Sequence, residues 1–180
     1  IENCNSTPFT AAGPFSPSKK DYPAYMATEG QNFRGVNAIR ILPQEKNYTI
    51  DKVIEKGYDT YLTAFEVLIP RLVKASAEIT NDSTRNEISA PIEILKKWDY
   101  RVGKNSVATT LAIYWGEKIL PLIYRTAVEE GEDNDIVSKT HEFIAHAPPE
   151  QLIAALTTTM HELGKKFGTW KMEWGKVNLF

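Results

Sequence analysis

Tyr61-Leu62-Thr63-Ala64-Phe65-Glu66-Val67-Leu68-Ile69-Pro70-Arg71-Leu72-Val73 is the stretch on which the fold turns. Tyr61, Phe65, Leu68 and Leu72 fall at i, i+4, i+7 and i+11, which gathers them on one face of a helix. Leu62, Ile69 and Val73 widen that face until it can bury against a core. Pro70 removes one backbone donor and crowds the preceding turn. The apolar face resumes in phase beyond it, so the spacing predicts a kinked helix that continues through the proline.

The same period recurs on the C-terminal side. Thr84-Arg85-Asn86-Glu87 has capping-box spacing and predicts a helix start near Thr84, carrying Ile88, Ile92 and Leu95 towards Trp98. Pro91 leaves two readings open there: a proline inside this helix, or one near a new start with 84–90 as a separate turn. A third helix is predicted over 106–128, kinked at Pro121. It buries Leu111, Trp115, Ile119 and Ile123, and its small Ala108 and Ala112 let a neighbour approach. Two more are predicted over 135–147 and 149–167, the latter aligning Leu152, Leu156, Leu163 and Phe167. Shorter helices are expected at 32–42 and 49–58, and the acidic run 129–135 reads as an exposed connection. The fold class is mainly α, a multi-helix domain with short strand segments expected at its two ends.

Composition bounds the partners. With 180 residues, 42% of them hydrophobic, the chain has enough apolar side chains for a core of its own, and one domain over 1–180 is the default. A net charge of −2 and a pI near 6.0, with Lys and Arg dispersed among Asp and Glu, argue against nucleic acid or an anionic membrane as partner. No apolar run reaches the length of a membrane span. Cys4 is the single cysteine, so an internal disulfide is excluded.

The histidines invite a metal reading that their spacing refuses. His141 and His146 are five apart, which turns their imidazoles roughly 140° from each other on a helix, and His161 has no second His four residues on. All three read as surface or interhelix residues, and no metal is expected. Asp133-Asn134-Asp135 lacks the glycine and terminal glutamate of a calcium loop.

Chemistry concentrates near the beginning, in Asn3-Cys4-Asn5-Ser6-Thr7-Pro8-Phe9 and Asn32-Phe33-Arg34-Gly35. An Asn side-chain NH2 is a neutral donor that does not titrate, which suits it to hold the negative oxygen of a tetrahedral intermediate. In an extended segment Asn3, Asn5 and Thr7 share one face, and Pro8 ends the strand. Asn, Ser, Thr and Pro are equally turn formers, and the cluster taken alone reads as a loop. Arg34 offers a fork of donors that stays charged, and Gly35 after it permits close backbone approach.

These stretches, with Tyr22-Pro23, the run from Asn105 to Trp115 and Trp170-Lys171-Met172-Glu173-Trp174-Gly175, resemble the penicillin acylases and their acyl-homoserine lactone acylase relatives. Those are N-terminal-nucleophile amidohydrolases. The resemblance implies a helical piece excised from a larger αββα enzyme, an internal segment of its nucleophile-bearing chain. It divides the chain into an oxyanion-hole strand and turn (1–9), a Pro-rich loop (10–31), a helical region (32–168) and the start of a return strand (169–180). It makes Asn5 the oxyanion donor, with Asn3 structural, and sets Arg34 beside the active site as its support; Arg40 reads as structural. It implies hydrolysis of an acyl side-chain amide of the penicillin, cephalosporin or acyl-lactone type, with the acyl group itself left open. No cofactor is implied. The partners implied are the remainder of the acylase, namely the nucleophile-bearing segment and a second chain, and a small acyl amide. Export to the periplasm or beyond is implied too. Ile1 is not a Ser, Thr or Cys nucleophile, so the 180 residues alone are expected to be inert. A different class stays open beside this one: a non-enzymatic helical scaffold or interaction domain whose Asn-rich start is a loop.

Overall fold

The computed structural model describes residues 3–129, 132 and 134–179. Its helices are α1 (Phe33–Ile41), α2 (Ile50–Gly57), α3 (Thr63–Glu78), α4 (Asp82–Lys96), α5 (Val107–Tyr124), α6 (Ile136–His146), α7 (Pro149–Phe167) and α8 (Trp174–Val177). Short 3-10 turns at Gly13–Phe15, Lys19–Asp21 and Leu42–Gln44 punctuate the loops. The protein is mainly α, as the periodicity requires.

Five of the described α-helices start where a side chain satisfies an orphan N–H. Asn32, Thr49, Asn81, Ser106 and Asp135 each accept a backbone hydrogen bond as N-caps of α1, α2, α4, α5 and α6, the role for which short oxygen-bearing side chains are selected. Asn81 takes the Thr84 N–H at 2.9 Å, so α4 begins before the expected start at Thr84 and runs unbroken past Pro91. At the other extreme α7 ends on Gly168, whose φ of 78° is the left-handed conformation glycine adopts without cost.

Helices α3, α4, α5 and α7 pack on one another, with α6 against α3 and α5. The sequence stripes meet there: Leu72, Leu95, Leu111, Trp115, Ile119, Leu152, Leu156 and Leu163 are fully buried. The Trp115 indole N–H donates to the Leu152 carbonyl at 3.1 Å, tying α5 to α7 inside the core. Gly116 allows α3 close to α5, because a Cβ there would lie 3.0 Å from the Phe65 ring. Helix α5 stops at Tyr124 rather than at 128. The Arg125 and Thr126 N–H groups bond back three residues to Leu122 and Ile123, which tightens and closes the last turn.

Among the described residues no strand forms at either end, against the expectation; residues 1, 2 and 180 of those segments lie outside the described residues. Residues 3–9 form a bend and turns, and 174–177 are helical; an extended segment persists as a strand only when a neighbour takes its N–H and C=O groups. Asn5 has φ 56°, outside the extended region, so the alternation that put Asn3, Asn5 and Thr7 on one face does not hold. The loop reading of that cluster is the one the chain adopts. The β pairing found among the described residues lies elsewhere, as an isolated antiparallel bridge between Tyr61 and Arg101.

That bridge anchors α1 to the core. Asp59 accepts from the Tyr61 N–H at 2.9 Å, from Asn37 of α1 at 3.3 Å and from Arg101 at 3.1 Å. Arg40, also on α1, bonds Glu66 at 2.8 Å and lies 4.2 Å over the Tyr61 ring. Burial pushes the Asp59 carboxyl up, but its three donors outweigh burial and hold it below the ordinary carboxylate value. Burial, reinforced by Glu66, pushes the Tyr61 and Tyr100 phenols up.

A carboxyl depressed on folding contributes stability that is complete above its ordinary range and is lost as pH falls through the depressed value. Asp59→Asn is therefore expected to lower Tm by about 2–4 °C at pH 7, for roughly 1 kcal/mol, and by nothing near pH 2. Melts from pH 7 downwards check this; wild-type and variant curves that stay parallel would refute it.

Candidate active site

Helix α1 and the loop before Pro8 meet through two side chains. The Asn32 oxygen caps α1 by accepting from the Gly35 N–H at 3.0 Å. Its NH2 donates to the Cys4 carbonyl at 2.9 Å and to the Asn5 carbonyl at 3.1 Å. Two residues later, Arg34 Nη2 donates to the same Cys4 carbonyl at 2.9 Å and to Asn5 Oδ1 at 3.2 Å. Asn5 and Arg34, 29 residues apart in sequence, are thus adjacent in space.

The loop is held from behind as well. The buried Thr7 donates its backbone N–H to the Gly30 carbonyl at 3.1 Å, and Asn3 Oδ1 accepts the Asn5 N–H at 3.4 Å. Gly30 in turn presses on the start of α6: a Cβ there would sit 2.3 Å from the Asn134 carbonyl oxygen, so only glycine fits. Asn134 donates to the Thr28 carbonyl at 3.0 Å, and the Gln31 N–H donates to Asp135 at 3.1 Å. Asp135 also caps α6 through the Val137 and Ser138 N–H groups. The Asn5 segment therefore rests on α1 on one side and, through residues 28–31, on α6 on the other.

Two hollows flank the pair. Asn5 borders a polar cleft of about 340 Å³ shared with Thr28, Gln31, Asn32 and Asn134. Arg34 borders a mostly apolar groove of about 660 Å³ lined by Cys4, Phe33, Ile41, Leu62 and Phe65 among others. Phe33 lines this groove, whereas Tyr25 is 80% exposed on its loop.

The electrostatics follow from the donor inventory. A guanidinium has no acceptor, so only the amide oxygen of Asn5 can face Arg34, and the Asn5 NH2 is the end left to donate elsewhere. That leaves the donor end of an amide beside a permanent positive charge. Arg40 belongs instead to the α1–α3 contact with Glu66 and Tyr61. His161 pairs with Glu87 at 2.7 Å between α7 and α4, and His146 with Glu142 on α6. Among the described residues no group of three or more His, Cys, Asp or Glu is arranged to hold a metal ion, and no helix is long and apolar enough to cross a membrane.

Sequence reasoning passed over Asn32. Its cap was legible, since an Asn stands directly before an apolar helical pattern. Its second bond set was not, because the Cys4 and Asn5 carbonyls lie 28 and 27 residues away.

The acylase resemblance singles out Asn5 and Arg34, and the chain brings these two residues into contact. The comparison with known families agrees: the family model described as penicillin amidase matches residues 1–180, and the chain belongs to that family.

Proposed function

We propose that this chain supplies the oxyanion-stabilising amide, Asn5, and its brace, Arg34, to an amidohydrolase that cleaves an acyl side-chain amide. Substrates of the penicillin, cephalosporin or N-acyl-homoserine lactone type fit that reading. The observation that carries it is the 3.2 Å bond from Arg34 to the Asn5 oxygen, which leaves the Asn5 NH2 as the end that can donate to substrate. Such a donor acts on charge that develops only in the transition state. The nucleophile is proposed to be a Ser, Thr or Cys with a free α-amino group, on polypeptide beyond these 180 residues, with that amine as base through water. On this reading the 180 residues alone are inert.

The remainder of the enzyme, including a second chain, is the proposed partner. The exposed apolar run of Ile50, Val53, Ile54 and Tyr58, 79%, 55%, 51% and 81% accessible, supports a surface made to be covered. The proposed location is the periplasm or the exterior.

Arg34→Met in the whole enzyme tests the reading. It keeps the length of the side chain and removes both bonds, so turnover is expected to fall roughly 10- to 100-fold, the worth of a charged hydrogen bond, with Tm little changed. Unchanged turnover would leave the chain a helical scaffold or interaction domain.

A further inference from the structure

We propose that Asn32 is the positioning residue of the oxyanion donor: its side chain couples the left-handed turn at Asn5 to the helix that carries Arg34. The inference rests on the reading of Asn5 given above and adds the device that sets its backbone.

The bonds admit only one assignment. The Gly35 N–H can only donate and the Cys4 and Asn5 carbonyls can only accept, so the Asn32 oxygen must face the helix and its NH2 the loop. The Cys4 carbonyl then accepts twice, from Asn32 and from Arg34, at 2.9 Å each. The Asn5 carbonyl, fixed by the same NH2, sets the peptide plane that follows the left-handed residue. Asn tolerates φ of 56° better than other side chains do, but tolerance does not select that state. The clamp does.

No other residue type performs both tasks. Ser, Thr and Asp cap helices well, as Thr49, Ser106 and Asp135 show here. None of them has an NH2 to give two carbonyls, and Asp would set a carboxylate against them. Gln has the amide but an extra methylene, which displaces the cap. Asn32 thus makes the start of α1 and the conformation of Asn5 one unit, while Arg34 from the same first turn orients the Asn5 amide.

The cap-preserving variant Asn32→Ser separates the two tasks. In the whole enzyme kcat is expected to fall roughly 10- to 100-fold for the two lost bonds, with KM changed less than about threefold and Tm near wild type. In an Asn5→Gly background the same change is expected to cost less than about twofold, because a residue that acts through Asn5 has nothing left to position. Losses that multiply across the two sites would overturn the proposal. A second readout does not depend on activity. Hydrogen exchange at the Thr7 amide, which bonds Gly30, should speed at least roughly tenfold in Asn32→Ser, while amides of α1 stay protected. Unchanged Thr7 exchange, or fraying of α1 by the same factor, would overturn the clamp. If Asn5→Gly alone proved silent, the functional reading would fall and the exchange result would still decide the clamp.

Discussion

Asn5→Gly in the enzyme that carries this chain is expected to lower kcat roughly 10²–10³-fold, the worth of one oxyanion donor, with KM and Tm close to wild type. Glycine, not alanine, is the clean deletion here. At φ 56° an alanine adds a left-handed strain of roughly 1–2 kcal/mol, so Asn5→Ala mixes a lost donor with a displaced loop. Glycine keeps the turn, leaves the Asn5 carbonyl for Asn32 to hold, and removes only the amide. The Arg34 guanidinium retains its bond to the Cys4 carbonyl, which limits any collapse of the site. Asn5→Asp is the informative companion: it keeps the backbone preference and still accepts from Arg34, but has no hydrogen to give and places a negative charge against an oxyanion. Its loss should equal or exceed that of glycine. Steady-state kinetics with a chromogenic acyl amide, alongside melts of each variant, decide the matter; kcat within tenfold of wild type in Asn5→Gly would remove Asn5 from the chemistry.

The parts of this molecule that could be read from the sequence are those decided by local spacing. The stripe through Leu68 and Leu72 and the alignment of Leu152, Leu156 and Leu163 gave helices and a core because a period of 3.6 is a property of neighbours in sequence. All of these side chains are buried. Boundaries were less legible, because competing caps sit close together: Asn81 outcompeted Thr84 for the start of α4. The two candidate site residues were found from their chemistry and their likeness to a family, and the chain does bring them into contact. Their conformation was not legible at all. A period-two alternation through Asn3, Asn5 and Thr7 fits a strand only if the backbone is extended, and the turn at Asn5 is fixed by Asn32, by Arg34 and by Gly30, all more than twenty residues away. Short polar segments carry little burial of their own, so their shape is set by whatever holds them from a distance.

The largest effect on stability is expected at Trp115. Its side chain is fully buried, and its indole N–H reaches across to the Leu152 carbonyl. Trp115→Ala removes the biggest of the fully buried side chains from the place where α5 meets α7, and the helices around it close only partly on the space. A cost of about 3–5 kcal/mol follows, a large share of the roughly 5–15 kcal/mol that keeps a domain folded. For a chain of this size it corresponds to a fall in Tm of roughly 6–20 °C. Trp115→Phe separates packing from hydrogen bonding. The Leu152 carbonyl lies inside α7 and keeps its helical bond from four residues on, so no acceptor is orphaned, and the expected cost drops to about 1–3 kcal/mol. Neither variant touches the α1 contact with the Asn5 loop, so kcat measured well below Tm should stay near wild type in both. A Trp115→Ala protein that melted within a degree or two of wild type would mean that α5 and α7 are not held together by this side chain, and the core described here would have to be redrawn.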